Sequence, residues 1–188
     1  MRIFLAVFPP PAVQAAVHAA VGRLQRPADG VSWVKRENLH YTLRFLGELG
    51  ADGARRVKEA AGEAAATGAP FEAELGSLGA FPNPRRARVL WAGMTAGAEP
   101  LTAVAYALET ALRRKGFEAA DHPFSPHLTL GRVREPRADW SGRLAAVEVD
   151  PASRRFAVDR LCVVESELSP RGSSYKILHE APLARPRG

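Results

Sequence analysis

The pattern His40-Tyr41-Thr42-Leu43 returns 87 residues later as His127-Leu128-Thr129-Leu130. This internal echo constrains the fold more than any other feature of the chain. Both copies sit in apolar, β-prone surroundings, residues 39–46 and 124–133. Successive side chains on a strand point to opposite faces, so each His shares a face with the Thr two residues later. Tyr41 and Leu43, like Leu128 and Leu130, then face the other way, where a core would take them. The separation is close to half of the 188 residues, which predicts a duplicated unit with its two copies about a pseudo-two-fold axis. If the two motif strands lie side by side, two imidazoles and two hydroxyls converge on one spot.

The two halves read alike, each with a helix feeding a loop and then a His-x-Thr strand. Apolar spacing predicts helices over 11–24, 54–67 and 100–115, with Pro11 acceptable at a helix start. Strands are expected over 2–8, 32–34, 39–47, 71–75, 78–81, 89–94, 126–133, 156–167 and 174–183, with Ser169-Pro170-Arg171-Gly172 as a turn. Residues 134–151 show no readable pattern. Tight turns outnumber βαβ alternation, which favours an α+β fold with antiparallel sheets. Nothing between the halves resembles a linker, so residues 1–188 are expected to form a single bilobal domain.

Composition adds bounds. A formal net charge of +6 suits a polyanionic partner such as RNA, although 22 of the 26 basic residues are Arg in an Ala-rich chain, which a compositional bias would also produce. One cysteine, Cys162, excludes an intramolecular disulfide and a Cys-based zinc site, and its apolar setting predicts a buried thiol. No stretch approaches the ~20 apolar residues of a membrane span. Residues 1–8 are too short for a signal-peptide core. A cytoplasmic protein is expected, with a monomer as the default.

The motif residues define a chemistry. An imidazole titrates near neutrality, so one can be neutral while a second is protonated, the requirement for concerted general base and general acid work. Two Thr hydroxyls could donate to non-bridging phosphoryl oxygens, where charge gathers in a transition state. A cyclic phosphodiester attacked by water needs such a set, and no metal is required. Two His could instead ligate a metal, but the motifs bring no acidic residue to the same strand face. No Gly-x-Ser-x-Gly elbow, Walker or dinucleotide glycine pattern is present.

Residues 33–48, Trp-Val-Lys-Arg-Glu-Asn-Leu-His-Tyr-Thr-Leu-Arg-Phe-Leu-Gly-Glu, closely resemble the first motif region of the two-histidine (2H) phosphoesterases. Residues 124–132, Phe-Ser-Pro-His-Leu-Thr-Leu-Gly-Arg, resemble the second. Within that superfamily the chain is most similar to the bacterial RNA 2′,3′-cyclic phosphodiesterases of the LigT type, first described as 2′-5′ RNA ligases. The likeness extends to residues 2–7, to Phe81-Pro82 with residues 88–91, and to residues 166–172 before Tyr175. It implies a bilobal α+β fold with two antiparallel β-sheets lining a central groove and helices outside. It also implies hydrolysis of an RNA 2′,3′-cyclic phosphate to a 2′-phosphomonoester without a cofactor. Carried across, His40 is the proton donor and His127 the proton acceptor, while Thr42 and Thr129 hold the phosphate. With a 5′-hydroxyl in place of water, weak 2′-5′ ligation follows. The rival readings are a non-catalytic basic module that binds RNA ends, or the same fold acting on 2′-5′ oligonucleotides or small cyclic nucleotides.

Candidate RNA contacts are Arg44, Arg132 and Tyr175. Strand alternation puts Arg44 on the His40/Thr42 face, and puts Arg132 away from His127 and Thr129 unless the strand twists or bulges. The same rule places Phe45 on the core side. Arg85, Arg86 and Arg88 form a basic patch suited to backbone contact. Trp33 and Trp91 are expected in the core. His18, His122 and His179 carry no functional pattern.

Overall fold

The computed structural model describes residues 1–135, 138–170 and 172–184. Arg171 of the expected turn and the end of the chain lie outside these residues. Strand β1 (Arg2–Val7) ends at the proline run, and α1 (Pro11–Leu24) starts with proline where the missing N–H costs nothing. Next come β2 (Val31–Trp33), β3 (Tyr41–Glu48) and α2 (Ala51–Thr67). The second half supplies β4 (Phe71–Phe81), β5 (Val89–Ala96), α3 (Ala98–Arg114) and β6 (Leu128–Val133). The chain closes with α4 (Ser141–Ala145), β7 (Arg155–Val158), β8 (Arg160–Ser169) and β9 (Gly172–Pro182).

The strands run in the order β7-β4-β5-β6-β3-β1-β8-β9, with β2 added beside β6, and the neighbours pair antiparallel. The mixed α/β architecture with antiparallel sheets agrees with the expected fold class. The two expected sheets are halves of one nine-stranded sheet: β7-β4-β5-β6 and β3-β1-β8-β9 join through one residue pair, Tyr41 opposite Leu128. The halves also trade strands: β2 from the first pairs with β6, and the C-terminal β8–β9 hairpin completes the sheet of the first.

One face of the sheet carries the main core. Ile3, Leu5, Tyr41, Leu90, Leu128, Leu130 and Val163 pack there with the apolar stripes of α1, α2 and α3. Alternation turns Phe4, Ala6, Cys162 and Val164 to the opposite face, where they form a smaller cluster under Phe8 and Tyr175. Cys162 is buried as expected.

Some expectations are corrected. The strands predicted over 71–75 and 78–81 are one strand, irregular at Gly76 and Ser77, where Leu75 pairs with Met94 and Leu78 with Ala92. A Cβ on Gly76 would lie 3.2 Å from the Met94 amide, a tight contact that glycine eases where the two backbones approach closely. The run predicted as one strand over 156–167 divides around Asp159, with β7 joining β4 and β8 joining β1. Within the unreadable segment, Trp140 is buried edge-on against Trp33, ring centroids 6.0 Å apart.

Candidate active site

Each motif strand begins at the residue after its histidine, Tyr41 in β3 and Leu128 in β6. The antiparallel pairing of Tyr41 with Leu128 therefore carries a local two-fold relation. Continued one residue each way, that register sets His40 across from Thr129 and Thr42 across from His127. The four side chains share the face opposite to Tyr41 and Leu128, both of which are fully buried in the core.

Both imidazoles are held in the same way. His40 Nδ1 lies 2.6 Å from the Asn38 carbonyl oxygen, and His127 Nδ1 lies 2.8 Å from that of Ser125. A carbonyl only accepts, so each Nδ1 carries a proton and each neutral ring keeps its lone pair on Nε2. His40 Nε2 is 2.9 Å from Thr42 Oγ1. The hydroxyl donates to that nitrogen when the ring is neutral and accepts from it when the ring is charged. Asn38 is itself fixed, its side-chain amide donating to the Ser173 carbonyl at 2.8 Å.

Burial lowers the His40 pKa from its ordinary value, the hydrogen bond to the Asn38 carbonyl opposes this, and the charge of His127 lowers it further. A bound phosphate monoanion would act against burial by favouring the imidazolium. In an NMR titration, His40 should titrate below the usual value of about 6.5. Removing its charged neighbour by His127→Asn should move it up, as should saturation with a 2′-nucleotide. Because the native value lies below the unfolded one, His40 stabilises the fold fully above about pH 6.5, and that contribution declines as pH falls toward the native value.

Strict alternation fails at an equivalent place in each motif strand, and β3 slips a second time at Leu46, between the Phe45–Phe4 and Gly47–Ile3 pairs. Thr42 pairs with Ala6 but Arg44 pairs with Leu5, which leaves Leu43 as an extra residue. Thr129 pairs with Trp91 but Gly131 pairs with Leu90, which leaves Leu130 extra. A bulge directly after the Thr re-aims everything that follows. Arg44, expected on the motif face, is turned to the helix side, where it pairs with Glu109 of α3 at 3.5 Å and donates to the Glu118 carbonyl at 2.7 Å. Phe45, expected in the core, pairs with Phe4 on the groove side and is 49% exposed. Arg132, expected to face away from Thr129, shares its side. Gly131 tolerates no side chain, because a Cβ there would stand 2.7 Å from Val31 Cγ1 on β2.

The resulting groove, about 210 Å³, is lined by His40, Thr42, Phe45, Thr129, Arg132 and Tyr175 together with Arg2, Phe4 and residues of the β8–β9 hairpin. Phe4 and Tyr175 flank His40 with ring centroids 4.9 and 5.4 Å away, and Phe8 stands at 5.4 Å. Burial raises the Tyr175 pKa, partly offset by Arg132 and Arg2. On the other side the Phe81 ring meets His127 edge-on at 5.2 Å and leans on Trp91. Trp91, expected in the core, is opposite Thr129 on the groove side, and its ring lies where a Cβ on Gly79 would be 2.4 Å from it.

Arg85 and Arg86 are exposed in a turn whose amides are held by Asn83, and Arg88 is exposed beyond it. His18 and His122 are exposed, and His179 is half-buried in β9. Among the described residues no group of three or more His, Cys, Asp or Glu could hold a metal ion. Nor, among these residues, is any helix long and apolar enough to cross a membrane. Sequence reasoning missed Phe4, Arg2 and Asn38, and set Phe45 aside as core packing. A signal for Phe45 was present, since it follows His40 by the same five residues that separate Arg132 from His127.

Two carbonyl-anchored imidazoles and two hydroxyls on one face of a duplicated antiparallel sheet, with His40, Thr42 and Thr129 lining its groove, define a phosphoesterase with an internal two-fold. The family described as LigT-like phosphoesterase matches residues 7–91 and 93–175, and the chain belongs to it. The RNA 2′,3′-cyclic phosphodiesterase of Methanothermobacter thermautotrophicus is 34% identical over 184 residues, covering 93% of this chain and 95% of that one. The crystal structure of TT0787 of Thermus thermophilus superposes with a TM-score of 0.81 at 31% identity, covering 100% of both chains. E. coli LigT complexed with 3′-AMP gives a TM-score of 0.80 at 25% identity over 98% of each chain. The resemblance carried by the two motifs is thereby borne out.

Proposed function

We propose that this enzyme opens RNA 2′,3′-cyclic phosphate ends to 2′-phosphomonoesters by acid–base catalysis between His40 and His127, without a metal, as one bilobal, monomeric, cytoplasmic unit. The name of the Methanothermobacter relative supports the substrate class. The observation that carries the mechanism is the matched anchoring of both rings through Nδ1, which leaves each Nε2 for proton transfer.

His127 Nε2 takes a proton from water as its oxygen attacks phosphorus. The bond from phosphorus to O3′ breaks, and the His40 imidazolium gives its Nε2 proton to that oxygen. Thr42 and Thr129 donate to the non-bridging oxygens as charge builds there. Substrate binding helps charge His40, because the phosphodiester anion opposes the burial that lowers its pKa. Phe45 and Tyr175 offer ring surface to the terminal ribose and base. A 5′-hydroxyl taking the place of water gives a 2′-5′ linkage by the same transfers.

The test is product analysis on an oligoribonucleotide with a 2′,3′-cyclic end, with and without EDTA. A 2′-monoester formed at the same rate in both supports the reading. A 3′-monoester, or activity that EDTA abolishes, refutes it. Salt-sensitive binding with no product would favour the end-binding module instead.

A further inference from the structure

Beside the catalytic groove lies a larger hollow of about 590 Å³, lined by β2, by Lys35 and Asn38, by Arg132 and Arg134 of the β6 end, and by the tip of the β8–β9 hairpin. The two spaces adjoin, with Val34, Arg132, Ser173 and Tyr175 bordering both. Among the described residues its charged lining is Lys35, Arg132 and Arg134, with no Asp or Glu. None of these three cations enters an ion pair among the described residues. Their placement is built into the fold. Arg134 Nε donates to Ser32 Oγ at 2.8 Å, and the Arg134 amide donates to the Gly30 carbonyl at 2.9 Å. The Lys35 ammonium lies near Gly172, where an added Cβ would stand 3.9 Å from Nζ. Gly172 has φ of 103°, a conformation that favours glycine and brings the hairpin tip close to Lys35.

Size and position suggest what this annex takes. The catalytic groove alone falls below the roughly 300–1,000 Å³ typical of ligand pockets, whereas the annex lies within that range. A terminal cyclic phosphate and its ribose seated at His40 and His127 leave the 5′ side of that nucleoside to continue along Tyr175 and Arg132. An uncompensated cluster of cations along that path attracts a phosphate and carries no base information.

Resting on the proposed function above, we infer that Lys35 and Arg134 bind the phosphate on the 5′ side of the terminal nucleoside, so that the enzyme prefers ends belonging to a chain. Either an RNA phosphodiester or the 5′-phosphate of a mononucleotide would present this group. The test compares kcat/KM for three substrates: adenosine 2′,3′-cyclic phosphate, the same compound with a 5′-phosphate, and the dinucleotide ApA with a 2′,3′-cyclic end. The 5′-phosphorylated substrates should be turned over about five- to twentyfold more efficiently, the scale of one or two charge-assisted contacts. Lys35→Ala and Arg134→Ala should each remove part of that advantage and lower the salt dependence for the dinucleotide by about one unit of slope. Both variants should keep the wild-type rate on the unphosphorylated nucleoside cyclic phosphate, whose reacting end does not touch these residues. A gain shared by both phosphate-bearing substrates supports the site, and a larger gain for ApA identifies the chain as its source. Equal efficiency on all three, a gain that survives in both variants, or an equal loss on every substrate overturns it. Failure to hydrolyse any of the three would instead overturn the proposed function.

Discussion

Replacing either His40 or His127 by Ala lowers kcat on a 2′,3′-cyclic-phosphate end by about 10²–10⁴-fold, the contribution typical of one positioned proton donor or acceptor. KM changes far less, because Thr42, Thr129 and the cationic groove residues still hold the phosphate. The two losses do not add. Once one ring is gone the concerted transfer is broken, so the double variant should be little worse than the poorer single one. Steady-state kinetics on all three variants tests this, with thermal melts to confirm that each is folded. Wild-type-like turnover in either single variant would remove that ring from the reaction. The pH–rate profile should be bell-shaped in the wild type. Each single variant should lose one limb, and the limb that disappears assigns acid and base between the two rings.

The second large effect is expected away from the reacting atoms. Leu128 is fully buried and pairs with Tyr41 where the two sheets join. Leu128→Ala should cost about 2–5 kcal/mol through lost burial and the cavity left behind. In a chain of this size each kcal/mol lowers Tm by about 2–4 °C. The cavity opens directly beneath the four motif side chains, so kcat should fall even at temperatures where the variant remains folded. Leu128→Met, which roughly conserves volume, should recover most of the stability and the rate. Calorimetry beside kinetics at low temperature checks both. A variant as stable as wild type would show that the junction does not pin the two sheets together.

Much of the site was legible in the chain. Two copies of His-x-Thr near half the length, each in a β-prone apolar setting, predict convergence once the two strands lie side by side, because a strand with one buried face leaves its other face to the polar members of the repeat. The helical stripes were equally readable. Observed helices start up to three residues before their apolar pattern, where Gly50 and Gly97 mark the caps.

The misplacement of Arg44, Phe45 and Arg132 has a single physical cause, the assumption that a strand alternates without interruption. One extra residue after Thr42 sends Arg44 toward α3 and Phe45 into the groove, and one after Thr129 brings Arg132 round beside its Thr. A bulge is settled by the partner strand and by what packs above it, so a single-strand pattern carries little trace of it. The division of residues 156–167 between β7 and β8 escaped for a related reason, since which neighbour a strand finds is a long-range matter.

By itself, then, the sequence determined the fold class, the doubled motif and the four polar side chains that share its face, because hydrophobic alternation and an internal repeat are local properties of a chain. Only the tertiary structure decided which residues surround those four, how each ring is turned by a carbonyl two residues before it, and that a basic annex opens beside them. Those features depend on strand register, bulges and hairpin closure, where groups distant in the chain compete for the same space.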